Sequence, residues 1–185
     1  MLVLIYCTTY SQYTRATIKA LVRNNVKADT NVVYSLPYGK HVSKLMVQGY
    51  YTSYSHKGEI ANDFAMRKGS KVCAARAGVV IATKQDGKLR GLANKYMNEW
   101  NYVYILHSDG STAIYGHLMY GGVLVLEGDS VRQGQAIGLS GNTGYSAFAH
   151  LHFQVWDAAG KQLPVRFYTT NGIRYLRGMR RYRAV

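Results

Sequence analysis

From about residue 46 the chain is a succession of short runs rich in β-branched and aromatic residues, broken by glycine: KLMVQGYYT, SKVCAARAGVVIATK, NYVYILHSDGSTAIYGHL, GVLVLEGDSV, QAIGLSGN and AHLHFQVW. Regular short runs with turn signals between them predict an all-β, mainly antiparallel sheet assembly. Two turn signals are specific. HSDGST places Asp109-Gly110 between two alternating runs, the two-residue hairpin signature. SGNTG offers Gly and Asn for positive-φ positions just before the last run. Residues 84–100, KQDGKLRGLANKYMNEW, lack strand character and read as a long hairpin loop with one helical turn, of the kind that borders binding sites.

At 185 residues the chain is long enough for one domain with a real core. Residues 1–45 alternate only weakly and read as an N-terminal extension or the end of a preceding domain, with one or two strands or a short helix. The β domain occupies 46–160. Residues 161–185 form a basic C-terminal segment, in which RYLRGMRRYRAV suggests a basic tail or a helix with a solvated face. The terminal segments are thus expected to be short helical or irregular pieces. Lys and Arg total 23 against 9 Asp and Glu, a formal charge of +14 that should attract a polyanion: nucleic acid, an anionic cell wall or an acidic membrane. No nucleic-acid motif is present, so no specific nucleic-acid partner is expected. No stretch approaches the roughly 20 apolar residues of a membrane span. Cys7 and Cys73 are too few for a disulfide framework or a cysteine metal site. The start, MLVLIYCTTYSQYTR, is apolar but lacks a basic first part and a small-residue cleavage site, so it is no clear signal peptide; it reads as a remainder of something longer or a first strand.

The histidines carry the chemistry. In FAHLHFQVW the two-residue period of a strand puts His150 and His152 on one face, with Leu151 and Phe153 on the other. In SHKGEIANDFAM, His56 precedes Asp63 at the end of a turn-like segment; the pair reads as zinc ligands or as a surface His with a turn-capping Asp. In YGHLMYGG, His117 ends the second hairpin strand. Three strand histidines and a His/Asp pair are enough for a catalytic zinc with three protein ligands and histidines to spare. His107 reads as structural and His41 as a surface residue. Asn101, Tyr102 and Tyr115 read as packing residues, with groove shaping as the alternative, and Gly116 and Gly141 as serving the backbone.

SHKGEIANDFAMRKGSKVCAARAGVV, STAIYGHL, EGDSVRQGQAIGLSGNTG and HLHFQVW resemble, in order and spacing, the zinc-dependent murein endopeptidases of the lysostaphin/LytM type, over roughly residues 45 to 157. The resemblance implies that type's all-β fold and one Zn2+ per chain, held by His56, Asp63 and His152, with His117 and His150 as the catalytic histidines. It implies an endopeptidase cutting peptidoglycan stem or cross-bridge peptides, working as a monomer outside the cytoplasm, with the basic surface facing an anionic wall. No HExxH glutamate is present, so the histidines would take the acid–base role. Two departures stand out: Phe148-Ala149 replaces the Gly-Pro pair common before the HxH, and seven positions separate His56 from Asp63. The rival reading is a catalytically inactive module of the same fold that binds the wall or activates another hydrolase. Such relatives lose ligands, whereas all five positions are filled here.

Overall fold

The computed structural model describes residues 13–23 and 32–185. Cys7 and the apolar start read above as a possible first strand lie outside the described residues. A short helix, α1 (Arg15–Val22), opens with Thr14 as N-cap, its side chain accepting a hydrogen bond from the Thr17 N–H. Among the described residues fifteen strands follow: β1 (Val33–Ser35), β2 (Ser43–Gln48), β3 (Ala61–Ala65), β4 (Lys71–Cys73), β5 (Gly78–Lys84), β6 (Arg90–Gly91), β7 (Asn101–Leu106), β8 (Thr112–Val123), β9 (Ser130–Val131), β10 (Ala136–Ser140), β11 (Gly144–Tyr145), β12 (His150–Trp156), β13 (Arg166–Thr169), β14 (Gly172–Arg174) and β15 (Arg180–Arg183). The fold is all-β and mainly antiparallel.

The main sheet runs β15-β2-β3-β12-β8-β7-β5-β9, with β10 paired to β8 and to β4. A small sheet, β1-β13-β14, contains the parallel pair β1–β13. Alternation along the central strands decides which face is buried. Leu151, Phe153 and Val155 on β12, Phe64 on β3 and Tyr115 on β8 are fully buried on one face. Tyr34 of β1 and Phe167 of β13 pack edge-on or tilted against them, with ring centroids 6.1 Å (Tyr34–Phe153) and 5.6 Å (Phe153–Phe167) apart. The small sheet therefore lids the core face, and burying each such side chain contributes about 1.5–3 kcal/mol. The opposite face of β3, β12 and β8 is left to carry polar groups.

The flanking segments build strands in these sheets. Val33–Ser35 pairs with Arg166–Thr169, and Arg180–Arg183 pairs with β2 at the edge of the main sheet. The run expected as a basic tail or solvated helix, residues 174–185, is thus a strand-forming segment. The reason lies in β15, where Tyr182 is buried and bonds through its hydroxyl to the Arg177 N–H, while Arg180, Arg181 and Arg183 stay exposed. The Asp109-Gly110 hairpin also differs in detail. The His107 N–H bonds to the Ser111 carbonyl, and of the loop residues only Gly110 has a positive φ, 80°. The loop therefore has three residues with glycine in the left-handed position, in place of the expected two-residue turn. Asp109 contributes by accepting from the Ser111 N–H and hydroxyl.

Before β12, the positive φ falls at Gly144 (83°); Gly141 serves a close approach, since a Cβ there would lie 2.4 Å from the Met119 nitrogen. Residues 84–100 leave the β5–β7 hairpin as a long excursion holding β6 and a single 3-10 helix, Asn94–Glu99. Its β6 pairs in parallel with β11, which ties the excursion to the segment before the histidine strand. His107 is buried, its Nδ1–H donating to the Ala77 carbonyl, and His41 is exposed.

Candidate metal centre

One cross-strand row organises the polar face. In register, Gln48 of β2 opposes Asp63 of β3, Asp63 opposes His152 of β12, and His152 opposes Gly116 of β8. Asp63, expected at the end of a turn-like segment, is in the middle of a central strand and 1% exposed. The loop after β2 brings His56 back over the row, where its Nε2 lies 3.1 Å from Asp63 Oδ2; His152 Nδ1 lies 3.0 Å from Asp63 Oδ1. His56, Asp63 and His152 each offer a ligand atom, all within 4.8 Å of one another.

The hydrogen bonds behind the rings select the atoms that face inward. His56 Nδ1 lies 3.0 Å from the Gly49 carbonyl, which only accepts, so Nδ1 carries a proton and Nε2 is the atom turned toward the carboxylate: it donates to Asp63 when the ring is cationic and offers a lone pair to a cation when the ring is neutral. Two imidazole nitrogens and a carboxylate oxygen suit a borderline divalent cation such as zinc, with the backbone carbonyl orienting the first ring. Burial disfavours a charged His56, but the hydrogen bond and charge of Asp63 outweigh it and raise its pKa. Burial likewise works against a charged Asp63, yet the hydrogen bonds from His152 and His56 hold its carboxyl well below the usual carboxylate range.

The other two histidines close the cluster. His150 Nε2 is 3.7 Å from Asp63 Oδ2, and its Nδ1 is held 2.8 Å from the Phe148 carbonyl. His117 and His150 have ring centroids 4.5 Å apart, and His117 Nδ1 lies 2.7 Å from the Thr143 carbonyl. Simple alternation would turn His117 to the core face with Tyr115. His117 instead has φ of 61°, at a register shift where Tyr102 opposes Gly116 but Asn101 already opposes Leu118. The extra residue is a bulge that swings the imidazole onto the polar face. Both rings resist protonation: burial, with the charges of His150 and His152, takes His117 down to about 3, and burial lowers His150.

Tyr115 is a core residue, its hydroxyl accepting from the Ala75 N–H, and Asn101 is fully buried, bonding to Gly87 and to the Leu118 carbonyl. Gly116 leaves room for Trp100, whose ring would meet an added Cβ at 2.6 Å. Trp100 stands 6.0 Å from the His117 ring and 6.3 Å from the His152 ring. Trp100, Thr143 and Gln48 escape sequence reading. Only Trp100 had a usable signal, its period-two spacing with Tyr102 and Tyr104.

Gln48 has a definite job. Its Nε2 donates to Asp63 Oδ2 (3.0 Å) and to Ser55 (2.7 Å), and its Oε1 accepts from the Thr52 hydroxyl. It latches the aspartate to the loop that delivers His56. Outer-shell partners of this kind are worth about 10–100-fold in metal affinity. Gln48→Leu should weaken zinc binding by that factor in a competition titration with a chelator, leaving the folded far-UV spectrum intact.

A family model described as peptidase family M23 matches residues 57–164, more than half of the chain. The chain belongs to peptidase family M23. The matched stretch contains Asp63, His117, His150 and His152 and begins one residue after His56. Among relatives of this M23 chain, the peptidoglycan DD-endopeptidase ShyA of Vibrio cholerae is 39% identical over 93 residues, half of this chain and 19% of the relative. Lysostaphin of Staphylococcus staphylolyticus is 38% identical over 93 residues, half of this chain and 17% of the relative. The M23 chain therefore aligns with about a fifth of the length of these relatives. Among solved structures, a zinc-containing peptidase from Vibrio cholerae has a TM-score of 0.53 at 25% identity, covering 70% of this chain and 38% of that one. Lysostaphin from Staphylococcus simulans has 0.51 at 30% identity, covering 65% and 47%.

Proposed function

We propose that this M23 protein is a zinc metalloendopeptidase that hydrolyses peptide bonds in peptidoglycan stem or cross-bridge peptides, with His56, Asp63 and His152 as metal ligands and His117 and His150 as catalytic residues. The observation that carries the reading is the convergence of all five side chains on one face of the sheet. A zinc ion in such a set supplies Lewis acidity toward a carbonyl and lowers the pKa of water to about 7. The histidines supply the proton chemistry. With Nδ1–H of His117 and His150 tied to the Thr143 and Phe148 carbonyls, each neutral ring keeps its Nε2 lone pair for the reacting groups. Such a ring takes a proton from the attacking water at Nε2 and, once cationic, donates it to the departing amine. While it carries that proton, the cationic ring also donates a hydrogen bond to the developing oxyanion.

The charge distribution supports an anionic cell wall as partner and a site of action outside the cytoplasm. Residues 59–157 contain eight of the nine acidic residues and nine of the 23 basic ones. Outside them, fourteen basic residues face a single acid, Asp29. Arg180, Arg181 and Arg183 are exposed on the edge strand β15. Among the described residues no helix is long and apolar enough to cross a membrane.

The test is elemental analysis of the purified protein, followed by incubation with peptidoglycan and counting of new amines. About one zinc per chain together with released amines is expected. Zinc without cleavage of any wall type would instead favour the inactive wall-binding or hydrolase-activating module, and absence of zinc would remove the reading altogether.

A further inference from the structure

The metal row does not end at Gly116. In the same register Gly116 opposes Tyr102 of β7, and Tyr102 opposes Lys84 of β5. At about 4.8 Å between strands, Tyr102 is about 10 Å and Lys84 about 14 Å from His152 along the row. Val103 on the other side of β7 is fully buried, so Trp100, Tyr102 and Tyr104 share the face that carries the metal ligands. Their rings form one continuous aromatic strip, with centroids 5.5 Å (Trp100–Tyr102) and 4.6 Å (Tyr102–Tyr104) apart, and Trp100 joins it to His117 and His152. Beside Tyr102, the middle ring of the strip, lies a shallow depression of about 360 Å3, lined also by Thr83, Lys84, Gln85 and Asp86.

We propose that this depression is a saccharide subsite, which seats a sugar ring of the glycan strand while the attached peptide reaches the metal centre. The proposal rests on the peptidoglycan endopeptidase reading above. A pyranose ring has an apolar C–H face and a rim of hydroxyl and amide groups, and it needs an aromatic plane beside several mixed polar groups. Tyr102 provides the plane. Thr83, Gln85, Asp86 and Lys84 provide a hydroxyl, an amide, a carboxylate and an ammonium. Lys84 is already paired with Asp86, so the rim has little net charge to offer a phosphate backbone. That sets the site apart from a nucleic-acid stacking platform, where unpaired cations follow the strand. The distance fits as well: an extended peptide advances about 3.3 Å per residue, so three to four residues join a bond at the metal centre to a ring at Tyr102.

The experiment titrates the N-acetylglucosamine tetramer into the whole protein by calorimetry, with Tyr102→Ala and the exposed loop variant Gln85→Ala alongside. Saturable binding by the wild type is expected, weakened about tenfold in Tyr102→Ala and severalfold in Gln85→Ala, with unchanged melting temperature in the latter. In kinetics, Tyr102→Ala should raise KM about tenfold more for a glycan-linked muropeptide than for the same peptide without sugar. No tetramer binding by the wild type, or equal binding by both variants, would overturn the subsite. So would an equal KM rise on both substrates, or displacement of the tetramer by oligothymidylate. The titration needs no cleavage, so failure of the peptidase reading shows in the zinc and amine counts and failure of the subsite shows in the calorimeter.

Discussion

Asp63→Ala is expected to bring zinc content from about one per chain to near zero and amine release to background. Asp63 is the hub of the site: Oδ2 faces His56 Nε2 and Gln48 Nε2, and Oδ1 faces His152 Nδ1. Without the carboxylate the two imidazoles lose both the third ligand and the charge that balances a divalent cation, and the Gln48 latch loses its acceptor. The aspartate is buried at the centre of β3, so truncation also leaves a cavity. Asp63→Asn separates the two effects. It conserves volume and a hydrogen-bonding oxygen but removes the charge, so it should fold, melt close to the metal-stripped wild type, and still fail to retain zinc. If Asp63→Asn held a full zinc through dialysis against a weak chelator, the ligand assignment would be wrong.

The second large effect separates binding from chemistry. His117→Asn and His150→Gln should keep about one zinc per chain, because neither ring belongs to the His56–Asp63–His152 cluster proposed to hold it. Each should lower kcat by about 10²–10⁴-fold, the usual contribution of a positioned acid–base group. Asparagine is the informative replacement at 117. The residue there has φ of 61°, a left-handed conformation that asparagine tolerates better than alanine, so the bulge survives while the imidazole is removed. Zinc analysis and steady-state cleavage on the same preparations decide the matter. Loss of metal in either variant would move that histidine into the ligand set, and full activity would remove it from the mechanism.

The residues of this site differ in how far the chain announces them. His150 and His152 are legible because a strand repeats every two residues, and the fold confirms the shared face. His56 and Asp63 are legible as a pair of ligand types, yet the local pattern suggests a turn where β3 has a buried strand. Strand formation there comes from pairing on both sides, with β2 and β12, which no local pattern encodes. Gln48 is silent in sequence, since a glutamine at a strand end acquires a function only when a neighbouring strand sets an aspartate opposite it. The C-terminal arginines mislead for a related reason: their alternation is weak, and the edge of β2 is what makes them a strand.

Local chemistry by itself thus determined the all-β character, the turn-rich spacing of the strands and the inventory of ligand-type side chains. These follow from side-chain alternation, glycine placement and donor identity, which are properties of a few neighbouring residues. Only the tertiary structure decided that His117 faces the His56–Asp63–His152 cluster, that Asp63 is its buried hub, and that one row runs from Gln48 through His152 to Tyr102 and Lys84. Those outcomes depend on strand register and on a one-residue bulge. Register arises from pairing between segments far apart in the chain, such as Asp63 with His152 and Ser43 with Arg183, where a slip of one residue would send every side chain to the opposite face.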